Sequence, residues 1–84
     1  MQPIHQLLNR IRWDPEYAGA EFRIGYYDRV EDAVIVVPLQ GLEFPPDNRF
    51  VFLLYDDAGE LHTIPLHRIR QVYRNGELIW ERHG

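Results

Sequence analysis

The residues of this chain that are best suited to hold an anion are His67 and Arg68, which follow Pro65 after a run of strand-like residues. A guanidinium offers a planar fork that matches two phosphate oxygens, and a neighbouring histidine can donate another hydrogen bond or shuttle a proton. Because proline cannot continue a central strand, we predict a tight turn or one turn of 3₁₀ helix over residues 66–69. In the alternative, structural interpretation, Arg68 pairs with a surface carboxylate and His67 caps the turn.

A second candidate pair, Asp28 and Arg29, closes a predicted strand. Neighbouring residues of a strand point to opposite faces, so only one of the two can enter a site. We predict that Arg29 contacts a ligand and that Asp28 orients it or forms an ion pair.

Aromatic residues in the predicted strands could stack a nucleobase beside such a phosphate site. Packing is the more common role of strand aromatics, and this interpretation stays open. The residues concerned are Tyr26, Tyr27, Tyr73 and Trp80.

Other chemistry has less support in the sequence. His62 and His67 could act as acid and base on a cyclic phosphate, but Pro65 lies between them and nothing in their spacing makes the two rings converge. The histidines and carboxylates fit no metal-ligand pattern, and the phosphate-loop, nucleophile-elbow and paired-carboxylate motifs are absent. We therefore predict no metal and no cofactor, and we favour a binding module, with an enzyme as the open alternative.

The length and composition describe an ordinary globular protein. The 84 residues make one domain (1–84), with 45% hydrophobic and 26% charged residues. The net charge of −4 argues against coating a long tract of nucleic acid and favours a local phosphate contact. There is no stretch of the roughly 20 apolar residues that a membrane span needs and no signal-peptide pattern, so a cytoplasmic location without membrane contact is expected. The absence of cysteines excludes disulfides, thiol catalysis and cysteine-based zinc sites.

The first element is an amphipathic helix predicted from Pro3 to Arg12, which Asp14 and Pro15 end. Trp13 is expected to pack at its end. Its apolar stripe is Ile4, Leu7, Leu8 and Ile11, and a polar row on the opposite face, interpreted as solvent-exposed, is His5, Asn9 and Arg12.

Short strands follow the helix. The continuously apolar run Phe50–Tyr55 is predicted as the central strand, buried on both faces. Asn75 and Gly76 predict a two-residue type I′ hairpin, with Arg74 facing Glu77 and Val72 facing Ile79. We predict an α+β fold in which the N-terminal helix packs on a curled, mainly antiparallel sheet or small barrel of five to six short strands. The other predicted strands are 21–30, with a bulge or close approach at Gly25, 33–39, whose Pro38 places it at an edge, and 60–64.

Four sequence blocks, RIRWDP, IGYYDR, IPLHRI and GELIW-x-R, resemble the RNA cyclic group end recognition domain, a small family proposed to recognise RNA ends that bear cyclic phosphates. The resemblance covers nearly the whole chain. Members of this family occur alone and fused to domains similar to two-histidine phosphoesterases and nucleotidyltransferases. The positions that carry the family motifs are Tyr26, Asp28, Arg29, His67, Arg68, Trp80 and Arg82.

The resemblance implies a binding module for RNA repair or processing. In this hypothesis Arg29 and Arg68 hold a terminal 2′,3′-cyclic phosphate, His67 donates a hydrogen bond, and Tyr26 or Trp80 stacks the terminal base. The implied partners are an RNA 3′ end or nucleotide phosphate, and RNA ligase-like or nucleotidyltransferase-like proteins.

Two further hypotheses remain open. One is a cyclic phosphodiesterase that uses His62 and His67. The other is an adaptor that binds a protein partner through the edge strand near Pro38 or through an apolar patch.

Overall fold

The computed structural model describes residues 2–83, which form an N-terminal helix and six strands. Three single-turn 3₁₀ segments (Pro15–Tyr17, Leu39–Gly41 and Leu66–Arg68) connect some of them, and the last is named the corner turn. The main elements are α1 (Ile4–Trp13), β1 (Phe22–Asp28), β2 (Ala33–Pro38), β3 (Val51–Tyr55), β4 (Leu61–Pro65), β5 (Ile69–Arg74) and β6 (Glu77–Glu81).

The strands form two antiparallel sheets. A four-stranded sheet has the order β2-β1-β5-β6, and β3 and β4 form a separate hairpin. The largest fully buried side chains come from both sheets, because Ile24, Ile69 and Val72 belong to the first and Phe52 to the second. The predicted α+β class with a helix and a curled antiparallel sheet is confirmed, as is the edge position of the strand that contains Pro38.

Helix α1 follows the periodicity of the sequence. Its first turn is closed by the Pro3 carbonyl, which accepts hydrogen bonds from two backbone amides at 3.1 Å, and Asp14 before a proline ends it. Ile4 and Leu7 are buried in the core. The prediction for Trp13 is wrong, because this side chain is 72% exposed. No helix in the described part of the chain has the length and apolar character needed to cross a membrane.

Gly25 allows strand β1 to pass close to its neighbours. A Cβ atom at this position would lie 2.7 Å from Oε1 of Gln71 and 2.9 Å from Cγ1 of Val34. The pairing of β1 with β5 shifts register directly after Gly25, as the glycine in mid-strand predicted.

The prediction of residues 50–55 as the central strand is wrong. These residues pair with β4 and, through Leu53, with Glu43, but not with the larger sheet, whose central strands are β1 and β5. Phe52 is fully buried, whereas Phe50 is 69% and Tyr55 is 54% exposed. A continuous apolar run therefore does not show that a strand is buried on both faces. Side chains of a strand alternate between its two faces whatever their polarity, and in β3 only the face that carries Phe52 is fully buried.

The last hairpin is confirmed at its turn and corrected along its strands. Asn75 and Gly76 both have positive φ (51° and 85°), as a type I′ turn requires. Beyond the first two residue pairs the register shifts, so that Val72 faces Trp80 instead of Ile79. The bulge leaves Ile79 without a direct partner and brings Trp80 into the core, where it is 7% exposed.

Candidate functional site

Strand register brings the two predicted anion-binding segments to one corner of the molecule. Tyr26 in β1 lies opposite Ile69, the first residue of β5, and the corner turn directly precedes Ile69. Because the strands are antiparallel, the carboxyl end of β1 continues beside the corner turn, and the two elements are in contact. Arg29, just beyond β1, and Arg68 in the turn therefore lie at the same end of the central strand pair β1 and β5.

Arg70 also belongs to this region, although it is not among the predicted site residues. Ile69 is fully buried, so its strand neighbour Arg70 points to the opposite, outer face of the sheet. The Arg70 guanidinium carbon lies 5.5 Å from the centre of the Tyr27 ring, at cation–π distance. In the sequence, Arg70 could be noticed only because it lies two residues after Arg68. Its position beside Tyr27 depends on the pairing of β1 with β5, which the sequence does not show. We name Arg29, His67, Arg68 and Arg70 the arginine corner.

Acidic groups also lie at the arginine corner. The Tyr27 hydroxyl donates a hydrogen bond to Oδ1 of Asp32 at 2.5 Å, and this bond raises the pKa of Tyr27, while the nearby charges of Arg29 and Arg70 act in the opposite direction. Asp28 accepts hydrogen bonds from the backbone amides of residues 30 and 31, at 2.8 and 3.3 Å. Asp28 thus shapes the turn that carries Arg29.

Arg82 acts on the backbone of the corner turn. Its guanidinium donates hydrogen bonds to the carbonyl oxygens of His67 and Ile69, the second at 3.0 Å, and lies 5.6 Å from the centre of the Trp80 ring. These carbonyls end a 3₁₀ turn and would otherwise lack partners within it. Arg82 therefore fixes the shape of the turn, and its guanidinium is already engaged by the protein.

The two aromatic residues predicted to stack a base lie in the core. Tyr26 is 5% exposed and packs edge-on against Phe52, with ring centres 5.8 Å apart. Trp80 is 7% exposed, and its Nε1 donates a hydrogen bond to the carbonyl of Gln2 at 2.7 Å. Neither ring has an open face for a nucleobase in this structure, so their burial does not support the stacking role.

The two histidines of the phosphodiesterase hypothesis lie towards opposite ends of strand β4. His62 is near its start, and its Nε2 is 2.7 Å from Oδ2 of Asp56; this hydrogen bond raises the pKa of His62 and lowers that of Asp56. His67 follows the other end of β4, and the extended stretch from His62 to Pro65 alone spans roughly 10 Å. This separation does not favour two imidazoles acting on one phosphorus atom.

A cluster of possible metal ligands surrounds His62. Asp56, Glu60 and His62 offer ligand atoms within 4.8 Å of one another, and all three residues are exposed. Asp56 already accepts hydrogen bonds from two backbone amides of the hairpin turn, each at 2.9 Å. These hydrogen bonds stabilise the turn between β3 and β4, and this structural role explains the cluster without a metal ion.

The hydrogen bonds and ion pairs separate the arginines into two groups. All nine basic residues are arginines. Four are engaged by polar groups of the protein: Arg10 and Arg23 pair with carboxylates at 3.6 and 3.2 Å, and Arg74 and Arg82 donate to carbonyl oxygens. Within residues 2–83, five arginines have neither a carboxylate nor a carbonyl partner. Arg70 lies over the ring of Tyr27 and Arg49 over the ring of Phe50, and the other three are Arg12, Arg29 and Arg68.

Arg12 and Arg49 line a cleft between α1 and the irregular 39–51 segment, which we name the helix cleft. Its volume is about 500 Å³. None of the seven predicted site residues lines it. The polar row of α1, interpreted from the sequence as a solvent-exposed face, forms one wall, and no sequence pattern indicated that Arg49 would stand opposite. The lining residues are His5, Leu8, Asn9, Ile11, Arg12, Leu39, Gln40, Leu42, Phe44, Pro45, Pro46, Asn48, Arg49, Val51 and Leu66.

Comparison with known proteins identifies the family of this chain. A UPF0248 protein of Methanococcus maripaludis strain C5 is 30% identical over 82 residues, which cover 94% of this chain and 97% of the relative. A UPF0248 protein of strain C6 is 32% identical with the same coverage. No solved structure matches the chain significantly. Residues 1–82 match the MJ1316 RNA cyclic group end recognition domain. The family resemblance of the sequence is thus confirmed, and the chain belongs to the MJ1316 RNA cyclic group end recognition domain family.

Proposed function

We propose that this protein is a binding module for RNA 3′ ends that carry a 2′,3′-cyclic phosphate, and that the arginine corner holds the phosphate. The observation that carries the proposal is the pair Arg29 and Arg68, two arginines without carboxylate or carbonyl partners among the described residues that strand pairing brings to one edge of an acidic protein. The description of the family supports the choice of RNA cyclic ends as the ligand.

The chemistry of the ligand fits these side chains. A cyclic phosphate has two unesterified oxygens on its phosphorus atom, and the planar fork of a guanidinium can donate one hydrogen bond to each of them. In the proposal Arg68 and Arg29 contact these oxygens, and exposed His67 donates a further hydrogen bond. Arg82 and Asp28 position the two segments through the backbone, and Arg70 contributes positive charge beside Tyr27.

Calorimetry with three short RNAs of the same sequence tests the proposal. The RNAs end in a 2′,3′-cyclic phosphate, a linear 3′-phosphate or a 3′-hydroxyl. We expect the cyclic end to bind most tightly and the hydroxyl end most weakly, because the hydroxyl end has no terminal phosphate for Arg29 and Arg68 to bind. Equal affinity for all three would refute the proposal.

A substitution at the corner provides the second measurement. Arg68→Ala should weaken binding of the cyclic end by roughly 1.5–3 kcal/mol, the net value of hydrogen bonds to a charged group. Arg23→Ala is the matched control, because Arg23 is exposed and pairs with Glu21. Mass spectrometry of the bound RNA completes the test: intact cyclic ends after long incubation agree with a binding module, and their hydrolysis by catalytic amounts of protein would contradict it.

A further inference from the structure

The helix cleft differs in charge from the protein as a whole. The chain has 13 acidic residues and nine arginines, yet the cleft lining contains two arginines, one histidine and no carboxylate among the described residues. Its volume of about 500 Å³ lies in the range of sites for small organic ligands, about 300–1,000 Å³. The cleft can therefore bind an anionic group without repulsion from carboxylates in its described lining.

The two arginines enter the cleft from different parts of the chain. Arg12 is exposed in the last turn of α1, and Arg49 is exposed just before β3. Arg49 lies over the ring of Phe50, with its guanidinium carbon 5.4 Å from the ring centre, and a cation–π contact of this kind leaves the edges of the guanidinium free to donate. Both arginines can thus bind an external phosphate.

The remaining walls suit a nucleobase and a sugar. Leu8, Phe44 and Pro45 supply apolar surface, and Asn9 and Asn48 supply amide groups that can hydrogen-bond the edges of a base or ribose hydroxyls. The wall formed by the 39–51 segment is held in place, because its backbone pairs with β3 through two hydrogen bonds of 3.0 and 2.8 Å.

We infer that the helix cleft is a second subsite, which holds a nucleotide upstream of the RNA end, with its phosphate on Arg12 and Arg49. This inference rests on the proposed function of the arginine corner. The two regions adjoin, because Leu66 lines the cleft and is the first residue of the corner turn, directly before His67. One strand of RNA can then contact both regions.

The experiment compares a nucleoside 2′,3′-cyclic monophosphate with a tetranucleotide that ends in the same cyclic nucleotide. Calorimetry on the wild-type protein should give the tetranucleotide the higher affinity. Arg12→Gln and Arg49→Gln should each weaken tetranucleotide binding about 10-fold and leave mononucleotide binding unchanged. They should also lower the slope of log affinity against log salt by about 0.7 for each phosphate that the variant no longer binds. Arg10→Gln is the matched control, because Arg10 lies on the same helix but pairs with Asp14.

The possible outcomes separate the two proposals. Equal affinity for both ligands in the wild-type protein, an equal loss of affinity for both ligands in the Arg12 and Arg49 variants, or wild-type affinities in these variants would overturn the inference. A tetranucleotide with a 3′-hydroxyl tests the proposed function independently. If it binds as well as the cyclic one while the Arg12 and Arg49 variants still weaken both tetranucleotides, the proposed function fails and the cleft subsite stands. Absence of binding by any of these RNAs would overturn both.

Discussion

The arginine corner and the helix cleft both present arginines that lack acidic partners among the described residues, but different parts of the fold build them. The corner is assembled by backbone pairing, because the register of β1 with β5 sets the end of one strand beside the turn that starts the other. The cleft is assembled by side chains of α1 that face an irregular segment, and only one of its described lining residues belongs to the corner turn.

The electrostatic surroundings of the two regions differ as well. Asp28 and Asp32 lie at the corner, where one shapes the turn and the other binds the Tyr27 hydroxyl, whereas the described lining of the cleft has no carboxylate. Close carboxylates offset part of the attraction for a phosphate and restrict where it can sit. The two proposed ligands match this difference: one compact anion at the corner and a more extended ligand in the cleft.

The largest predicted effect is on a residue that supports both regions. Phe52 is fully buried, and its ring packs against Tyr26 behind the corner and against Phe44, which lines the cleft, with ring centres 5.8 and 6.3 Å apart. Phe52→Ala should lower the free energy of unfolding by about 3–5 kcal/mol, because it leaves a cavity in the core. Urea denaturation measures this change.

The neighbouring aromatic residue supplies the control. Phe50 is 69% exposed, so Phe50→Ala should change the free energy of unfolding by less than about 1 kcal/mol. If Phe52→Ala lowered the free energy of unfolding no more than Phe50→Ala does, the claim that Phe52 stabilises both regions would be wrong.

An intermediate effect, confined to the corner, is expected for Arg82→Met. This change keeps an apolar side chain near Trp80 but removes the hydrogen bonds to the carbonyls of His67 and Ile69. We expect a loss of up to about 1.5–3 kcal/mol in unfolding free energy and weaker binding of the cyclic mononucleotide. The gain in affinity from the mononucleotide to the tetranucleotide should remain, because it depends on the cleft. A variant that lost this gain but kept mononucleotide affinity would contradict the separation of the regions.

The smallest predicted effect is a change in how the stability of the protein depends on pH when His62, which does not line the cleft, is replaced. The hydrogen bond to Asp56 raises the pKa of His62, so the stabilisation from the pair is complete below the ordinary histidine value of about 6.5 and is lost as the pH rises through the raised pKa. The same bond lowers the pKa of Asp56, so its contribution is present above the ordinary value of about 3.9 and is lost as the pH falls through the lowered pKa. The pair therefore contributes most between about pH 4 and 6.5.

Urea midpoints measured from pH 4 to 9 check this expectation. In His62→Gln the decline above pH 6.5 should be smaller than in the wild type, and the cleft-dependent affinity should not change. His83→Gln is the control, because the His83 side chain is 90% exposed and 3.6 Å from Glu81. Identical pH profiles for His62→Gln and the wild type would show that the ion pair contributes nothing to stability.

Local patterns predicted the elements that depend on local physics. The apolar stripe predicted α1, two consecutive residues able to adopt positive φ predicted the last hairpin turn, and Pro65 predicted the corner turn. Gly25 correctly indicated a bulge. In each case the backbone preference of a few residues decides the structure, and those preferences are visible in the sequence.

The errors concern properties that depend on distant parts of the chain. Alternation alone could not tell that residues 50–55 would pair in a separate hairpin, that a bulge at Ile79 would turn Trp80 into the core, or that Tyr26 would be covered by Phe52. The sequence also could not distinguish Arg82, which binds carbonyls, from Arg68, which has no such partner among the described residues.

By itself, the sequence determined the family, the α+β class, the helix and the two turns, because short-range periodicity and backbone preferences specify them. Only the tertiary structure decided which of the described arginines are left without partners and that Arg12 and Arg49 face one cleft. The physical reason is that the partner of a long, flexible, charged side chain is set by the packing of elements far apart in sequence, and no local pattern encodes that packing.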